Sequence, residues 1–486
     1  MNDSFTNTGD KMVLTGATYD IGMIGLGVMG RNLALNMAEK GFSVAGYDTD
    51  PAKVKALGRE AAGKPAVGVA SVEALAAALR QPRAVIMLVP AGPPVDAVID
   101  GLLPYLAPGD VLLDGGNSHF RQTEGRAARL EGHAILYMGV GISGGEAGAR
   151  KGPSIMPGGP QAAYERVRPI LEAVAAKVEG KPCVAWLGPS SAGDYVKMVH
   201  NGIEYAVMQA IAEVYDLMKR GLGLEDGRIG QVFDGWNRGT LPAYLIEITG
   251  RVLAKTDAAT GRPLVDVIAD EAAQKGTGMW TAQEAMELRA PVPAIDAAVS
   301  MRDLSDLRAQ RIEAARVLAA AGPALAIGGA KNEAAFVGAL EAALRASMVI
   351  IYAQGMAQLR AASDVYGYGL KLETVARIWR GGCIIRSWLL EPIRAAFSAR
   401  PDLPNMLLDP VFAKMIAADQ AALRSVVVAA AENGIPAPAI ASCLAYLDAY
   451  RSARLPANLI QAQRDYFGAH TYRRLDREGD FHTEWE

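Results

Sequence analysis

Lys197, His200, Asn201 and Glu204 stand at i, i+3, i+4 and i+7 of the run AGDYVKMVHNGIEYAVMQAIAEVYDLMK, which reads as one helix from Ala192 to Lys219. On a helix that spacing puts all four on one face two turns long. Lys197 and Glu204 are then about 10.5 Å apart along the axis at 1.5 Å per residue, so an amine and a carboxyl on long side chains can close on the two ends of one small molecule. Such a pair is suited to general acid–base chemistry. To act as the base, the lysine must drop from about 10.4 by some 2 to 3 units, through burial or neighbouring cations. Another stripe, Val196, Val199, Ile203 and Val207, is apolar and fits a core-facing side. Spacing alone also describes a solvated face carrying a salt-bridge ladder, and both readings stand at this point.

A second chemical signal lies near the start. Gly25-Leu26-Gly27-Val28-Met29-Gly30 follows an apolar run and opens a helical one. In that context the glycines supply a tight turn, close backbone approach to a pyrophosphate and helix packing, while the helix N-terminus offers free N–H groups to phosphate. Asp48 lies 23 positions after Gly25, at the end of the next apolar run, where a carboxylate accepts from ribose hydroxyls. It would repel a 2′-phosphate at about 4 Å by roughly 4 kcal/mol at an effective dielectric near 20. Thr49 and Asp50 add no arginine, so the expectation is a preference for NAD with NADP as a weaker alternative, softened if Lys53 or Lys55 reaches across. Asp48 as a turn residue only is the competing reading.

These groups need elements to hold them. The runs 21–25, 42–47, 84–89, 111–114 and 135–140 alternate with helical stretches, which predicts a mostly parallel sheet from residue 20 to 190. After Gly188-Pro189 the chain turns Ala-, Leu- and Met-rich with helical periodicity, predicting an all-helical domain over 191–454. GLGLE (221–225) returns as GLKLE (369–373), which reads as an internal duplication. The stretch 455–486 has little apolar periodicity, and is expected to fray or to lie across its own or another subunit.

Bulk properties narrow the class. A chain of 486 residues with 51% hydrophobic and 21% charged residues, and no run of 18 uncharged apolar residues, reads as soluble, with several cores and no membrane partner. The polar start argues against export. Three dispersed cysteines suit a reducing cytoplasm, and five histidines without an i, i+4 pair predict no protein-built metal site. A net charge of -3 gives no general pull on nucleic acid.

Six segments, DGGNS (114–118), ISGGEAGARKGPSIMPGG (142–159), KMVHNGIEY (197–205), QKGTGMWT (274–281), WRGGCIIRS (379–387) and RLPANLIQAQRDYFGAHTY (454–472), together resemble the decarboxylating 6-phosphogluconate dehydrogenases in the family's order. The resemblance implies a Rossmann-type dinucleotide-binding α/β domain, a large all-α domain and an extended C-terminal tail. It implies oxidation and decarboxylation of 6-phosphogluconate in the pentose phosphate pathway and gluconate utilization. By the same resemblance, Lys197 takes the 3-hydroxyl proton as C3 gives up hydride, and Glu204 later protonates C1. Asn117, Ser143, Gly144, Gly145, His200 and Asn201 match positions that hold the sugar acid; Tyr205, Lys275, Thr277, Arg302 and Arg464 match phosphate contacts, with His470 also at the substrate. Arg464 and His470 belong to the neighbouring subunit's site, which implies a homodimer or higher oligomer. The cofactor set is the loop Gly25 to Gly30, Asp48, the turn Val89-Pro90-Ala91 and Asn117.

Four places depart from the family pattern. Residues 1–19 extend past its usual start and read as a disordered extension, with Met12 as an alternative initiator. Gly27 stands where alanine is common, and Met279 where a basic residue is usual. Asp48-Thr49 replaces the Asn and Arg of NADP-type members. The rival readings are another β-hydroxyacid dehydrogenase and a non-catalytic dinucleotide sensor, which would have no reason to keep Lys197 and Glu204 in register.

Overall fold

The computed structural model describes residues 18–318 and 333–486. The extension expected over 1–19 therefore lies, through residue 17, outside the described residues.

The apolar runs become β1 (Ile21–Ile24), β2 (Val44–Tyr47), β3 (Ala66–Gly68), β4 (Ala84–Met87), β5 (Val111–Asp114), β6 (Leu136–Ser143) and β7 (Ser154–Gly158). They form one sheet in the order β3-β2-β1-β4-β5-β6-β7, parallel throughout except for the β6–β7 pair. Ile21, Met23, Ile86 and Leu113 enter the core on one face, while Ile24, Val85, Met87 and Leu112 enter the other. Burial on both faces is why these strands read as unbroken apolar runs. β3 and β7 were not legible: the first is short and ends in glycine, and the second contains Pro157. Pro157 is tolerated because β7 is an edge strand. Strand order reverses between β1 and β4, which opens a crevice at their carboxyl ends.

The second domain is built around the helix Ala192–Asp216, called here the central helix. Its α geometry stops three residues short of the expected Lys219 and passes into a π turn, Leu217–Gly221, where Lys219 pairs with buried Asp226 at 2.6 Å. Val196, Val199, Ile203 and Val207 are buried as expected. The long helix Glu333–Tyr366 packs on the central helix and on Pro410–Glu432. It is long and apolar enough to cross a membrane, but its Leu344, Ile350 and Leu359 are buried in the core it shares with the central helix. The two duplicated pentapeptides occupy like stations, each between a long helix and a short one, Asp226–Arg238 and Leu372–Trp379.

The tail does not fray. It folds locally into the helix Ala457–Gly468 and a hairpin of Tyr472–Arg473 with Asp480–Phe481. Its organiser is polar: buried Asp465 accepts from the backbone N–H of Thr471 and Thr483, Trp485 Nε1 and His482 Nδ1 at 2.9 to 3.0 Å. A hub of that kind leaves no apolar periodicity to read.

Candidate active site

The central helix does not present a solvated polar face. β6, β7 and the helix Thr277–Glu287 pack against it, leaving Lys197 6% and His200 0% exposed. Lys197 Nζ donates to Asn201 Oδ1 at 2.8 Å, and His200 Nδ1 lies 3.0 Å from the same oxygen. That oxygen can only accept, so Nδ1 carries the imidazole hydrogen and Nε2 accepts from Ser143 Oγ at 3.2 Å. The amide of Asn201 donates onward to Thr277 Oγ1 at 3.0 Å. Glu204 Oε2 stands 3.9 Å from His200 Nδ1, at the more open end of the row.

Electrostatics follow from this burial. Loss of solvent lowers the Lys197 pKa, opposed by the negative charge of Glu204 and by the Cys383 thiol. Burial raises that of Glu204, opposed by Lys197 and Arg302. Burial and the adjacent lysine hold His200 well below its usual value, so it is neutral. A base and an acid are thus each pushed toward the uncharged form that proton transfer requires.

Ser143 ends β6, and Gly144 turns the chain with φ +110°. A Cβ at Gly144 would fall 2.4 Å from the Gly382 carbonyl, so only glycine lets the 379–387 segment close on this turn. That segment supplies residues to which no individual role had been assigned. Trp379 packs edge-on to His200 with ring centroids 5.6 Å apart. Ile384 N–H donates to Ser143 Oγ at 3.4 Å. The string WRGGCIIRS had been picked out, but nothing local reveals which of its residues meet His200.

Of the residues matched to phosphate, Tyr205 and Arg302 form a neighbouring wall. The Arg302 guanidinium carbon lies 3.7 Å from the Tyr205 ring centroid, and its Nη1 donates to the Ala273 carbonyl at 3.1 Å. Lys275 is exposed, and Gly276 turns the chain into the helix that starts at Thr277. Arg302 is a planar, fixed-charge donor suited to an anion, and Lys275 adds a flexible amine donor. Among the described residues, Arg464 and His470 are not brought to this wall within one chain; Arg464 donates to Gln461 at 3.1 Å, and both are exposed.

The glycine loop fits a dinucleotide. Gly25, with φ +92°, passes so close to Leu88 that a Cβ would lie 2.4 Å from its carbonyl oxygen, whereas the same probe at Gly27 meets nothing within 4 Å. The helix Val28–Glu39 has no side-chain cap and no acidic residue in its first turn, so its terminal N–H groups are free for phosphate. Val28 is exposed and Met29 partly so. Across the crevice, where Val89, Pro90 and Ala91 follow β4, a Cβ on Gly116 would meet the Val89 carbonyl at 2.4 Å. Asn117 beside it adopts φ +60°, and its Oδ1 is buried with no partner. An unpartnered buried acceptor in a strained turn is what a ligand donor would satisfy.

Asp48 does more than was expected of it. One oxygen accepts from Leu26 N–H at 2.7 Å and the other from Asp50 N–H at 2.9 Å. The turn role is therefore real, and the carboxylate shapes the glycine loop. Lys53 does reach across, to 3.5 Å.

Two family descriptions match: the NAD binding domain of 6-phosphogluconate dehydrogenase over residues 20–188 and its C-terminal domain over 193–485. The chain is 50% identical to the NADP(+)-dependent, decarboxylating 6-phosphogluconate dehydrogenase of Bacillus subtilis, covering 96% of this chain and 98% of the relative. It is 49% identical to the decarboxylating enzyme of Escherichia coli, with the same coverage. The solved 6-phosphogluconate dehydrogenase of Plasmodium falciparum, studied with NADP+ and with 6-phosphogluconate, superposes with a TM-score of 0.92 at 43% identity, over 96% of this chain and 100% of that one. The fold agrees with these matches, and the chain belongs to the 6-phosphogluconate dehydrogenase family.

Proposed function

We propose that this chain oxidises and decarboxylates 6-phosphogluconate to ribulose 5-phosphate, with Lys197 as general base and Glu204 as general acid. The chain is an NAD(P)-dependent, decarboxylating oxidoreductase by family. The observation that carries the residue assignment is the buried row in which Lys197 and His200 share the Asn201 oxygen and Glu204 closes the far end.

The glycine loop from Gly25 to Gly30 would hold the dinucleotide's pyrophosphate, and the nicotinamide would supply the acceptor for the hydride that leaves C3. Uncharged Lys197 takes the 3-hydroxyl proton at that moment. The resulting ketone is β to the carboxylate, so carbon dioxide can depart while electrons flow into an enediol. Protonated Lys197 donates to its oxygen and stabilises the charge, which makes the reading metal-independent. Glu204 then delivers a proton to C2 of the acid, which becomes C1 of the ketose, as Lys197 takes back the enediol hydroxyl proton and the product ketone forms. Ser143, the Gly144–Gly145 turn, His200, Asn201 and Asn117 hold the acid, while Tyr205, Lys275, Thr277 and Arg302 face its phosphate. Release of labelled carbon dioxide from C1-labelled substrate, in step with dinucleotide reduction, tests this. Oxidation without that release would overturn it.

The pH profile gives a signed test. kcat/KM is expected to rise as Lys197 loses its proton, with a limb below the ordinary lysine range because burial lowers that pKa. The Glu204 charge props the lysine up, so Glu204→Gln should move the limb to lower pH. A limb that moves upward, or stays, contradicts the arrangement.

Asp48 supports a preference for NAD, although the Bacillus subtilis relative is NADP-dependent. The exposed Lys53 ammonium offsets part of the repulsion, so about a hundredfold in kcat/KM is expected instead of the thousandfold that roughly 4 kcal/mol would give. Side-by-side kinetics decide this, and an NADP preference would refute it.

The division into 20–190, 191–454 and 455–486 serves this reading: cofactor domain, substrate and dimerisation domain, and a tail for a partner. Leu459, Ile460 and Phe467 on the tail helix are 61%, 60% and 71% exposed. Exposed apolar groups beside Arg464 and His470 support a homodimer in which each tail completes the other's site. A cytoplasmic location accords with three buried free thiols.

A further inference from the structure

One helix of the nucleotide domain, Phe120–Glu131, is tied to the helical domain by residues that the mechanism leaves unused. It begins three residues after Asn117. His119, at its cap, packs edge-on to Trp280 with centroids 4.9 Å apart. Phe120 meets Tyr195 of the central helix at 5.0 Å. Arg121 Nη2 donates to Glu284 Oε1 at 3.0 Å and lies 3.3 Å from Tyr366 OH, which itself donates to Glu284 Oε2 at 2.8 Å. Thr123 Oγ1 donates to Asp194 Oδ2 at 2.6 Å, and Ser191 Oγ to Glu124 Oε1 at 2.8 Å.

These ties join two things that must keep a fixed distance. Asn117 lies on the cofactor side. Trp280 and Glu284 lie on the helix that starts at Thr277, and Asp194 and Tyr195 lie within one turn of Lys197. Arg121 is 53% exposed at its side chain and Glu284 6%, so the pair holds a buried carboxylate from the solvent side, and Tyr366 still donates to that carboxylate when the arginine is removed. Hydride transfer is sensitive to small shifts: a misplacement of about 1 Å, introduced away from the chemistry, can cost on the order of a hundredfold.

We propose that Arg121, paired with Glu284 and Tyr366, is a positioning residue that sets the spacing between the cofactor crevice and the Lys197 site, and so the rate of hydride transfer rather than the binding of either ligand. The proposal rests on the oxidative decarboxylation reading. Arg121→Ala should lower kcat by about tenfold, within the range that misplacement produces. KM for 6-phosphogluconate and for the dinucleotide should each stay within about twofold, as for an interaction realised only in the transition state. The primary deuterium isotope effect with C3-deuterated substrate should rise. Arg121→Lys should recover part of the rate, and Glu284→Gln, which keeps the side chain's shape, should reproduce the alanine phenotype if Arg121→Ala does not fold. An unchanged isotope effect in the folded variant, or a rise in KM that accounts for the whole loss, would overturn the proposal. Wild-type enzyme that released no labelled carbon dioxide would instead sink the underlying reading.

Discussion

Lys197→Met is expected to reduce turnover by about ten-thousandfold, at the upper end of what a positioned proton acceptor contributes, while the dinucleotide binds as before. Methionine matches the length of the lysine stem and suits a site only 6% exposed, so the loss reports chemistry and not collapse. Asn201 Oδ1 keeps its second donor, His200 Nδ1, at 3.0 Å, and the row stays assembled. The amine is asked to serve twice, first as base for the 3-hydroxyl and then as donor to the enediol oxygen. Each role is worth a hundredfold or more, on the order of 3 kcal/mol, which is why the combined loss is large. Steady-state turnover together with a fluorescence titration of dinucleotide checks this. Retention of more than a hundredth of the activity would remove Lys197 from the centre of the mechanism.

Glu204→Gln should separate the two halves of the reaction. Glutamine keeps the size and a donor but has no proton to give to carbon. Overall ketose formation should fall by roughly a hundred- to a thousandfold, while a first turnover of dinucleotide reduction persists. Rapid mixing that follows the reduced dinucleotide and ribulose 5-phosphate separately should show the first running ahead of the second. Loss of both phases in equal measure would make Glu204 a binding group, and full activity would release it from any role.

The sequence was most readable where chemistry is local. The GxGxxG loop, the alternation of strand and helix, and the i, i+3, i+4, i+7 row each lie within one element and its neighbour. What could not be read depends on contacts between distant segments. The burial of the polar row comes from β6, β7 and the Thr277–Glu287 helix, and only that burial decides between an active site and a solvated ladder. The closure of Gly382 on Gly144 joins positions more than two hundred residues apart. Asp48 is the instructive intermediate case: its position at the strand end was legible, but its grip on Leu26 N–H was not. The local fold of the tail was not legible because Asp465 organises it through hydrogen bonds, which leave no hydrophobic period behind.

The central claim is that an amine and a carboxyl two turns apart on one helix serve the same substrate beneath a dinucleotide. The most direct measurement is a crystal structure of the complex with dinucleotide and 6-phosphogluconate. Lys197 Nζ should lie about 3 Å from the 3-hydroxyl oxygen, within proton-transfer reach, with the Glu204 carboxyl facing C2, the carbon that becomes C1 of the ketose, and the nicotinamide over C3. A complex in which either side chain points away from the sugar acid, or in which another residue contacts the 3-hydroxyl in place of Lys197, would contradict the account.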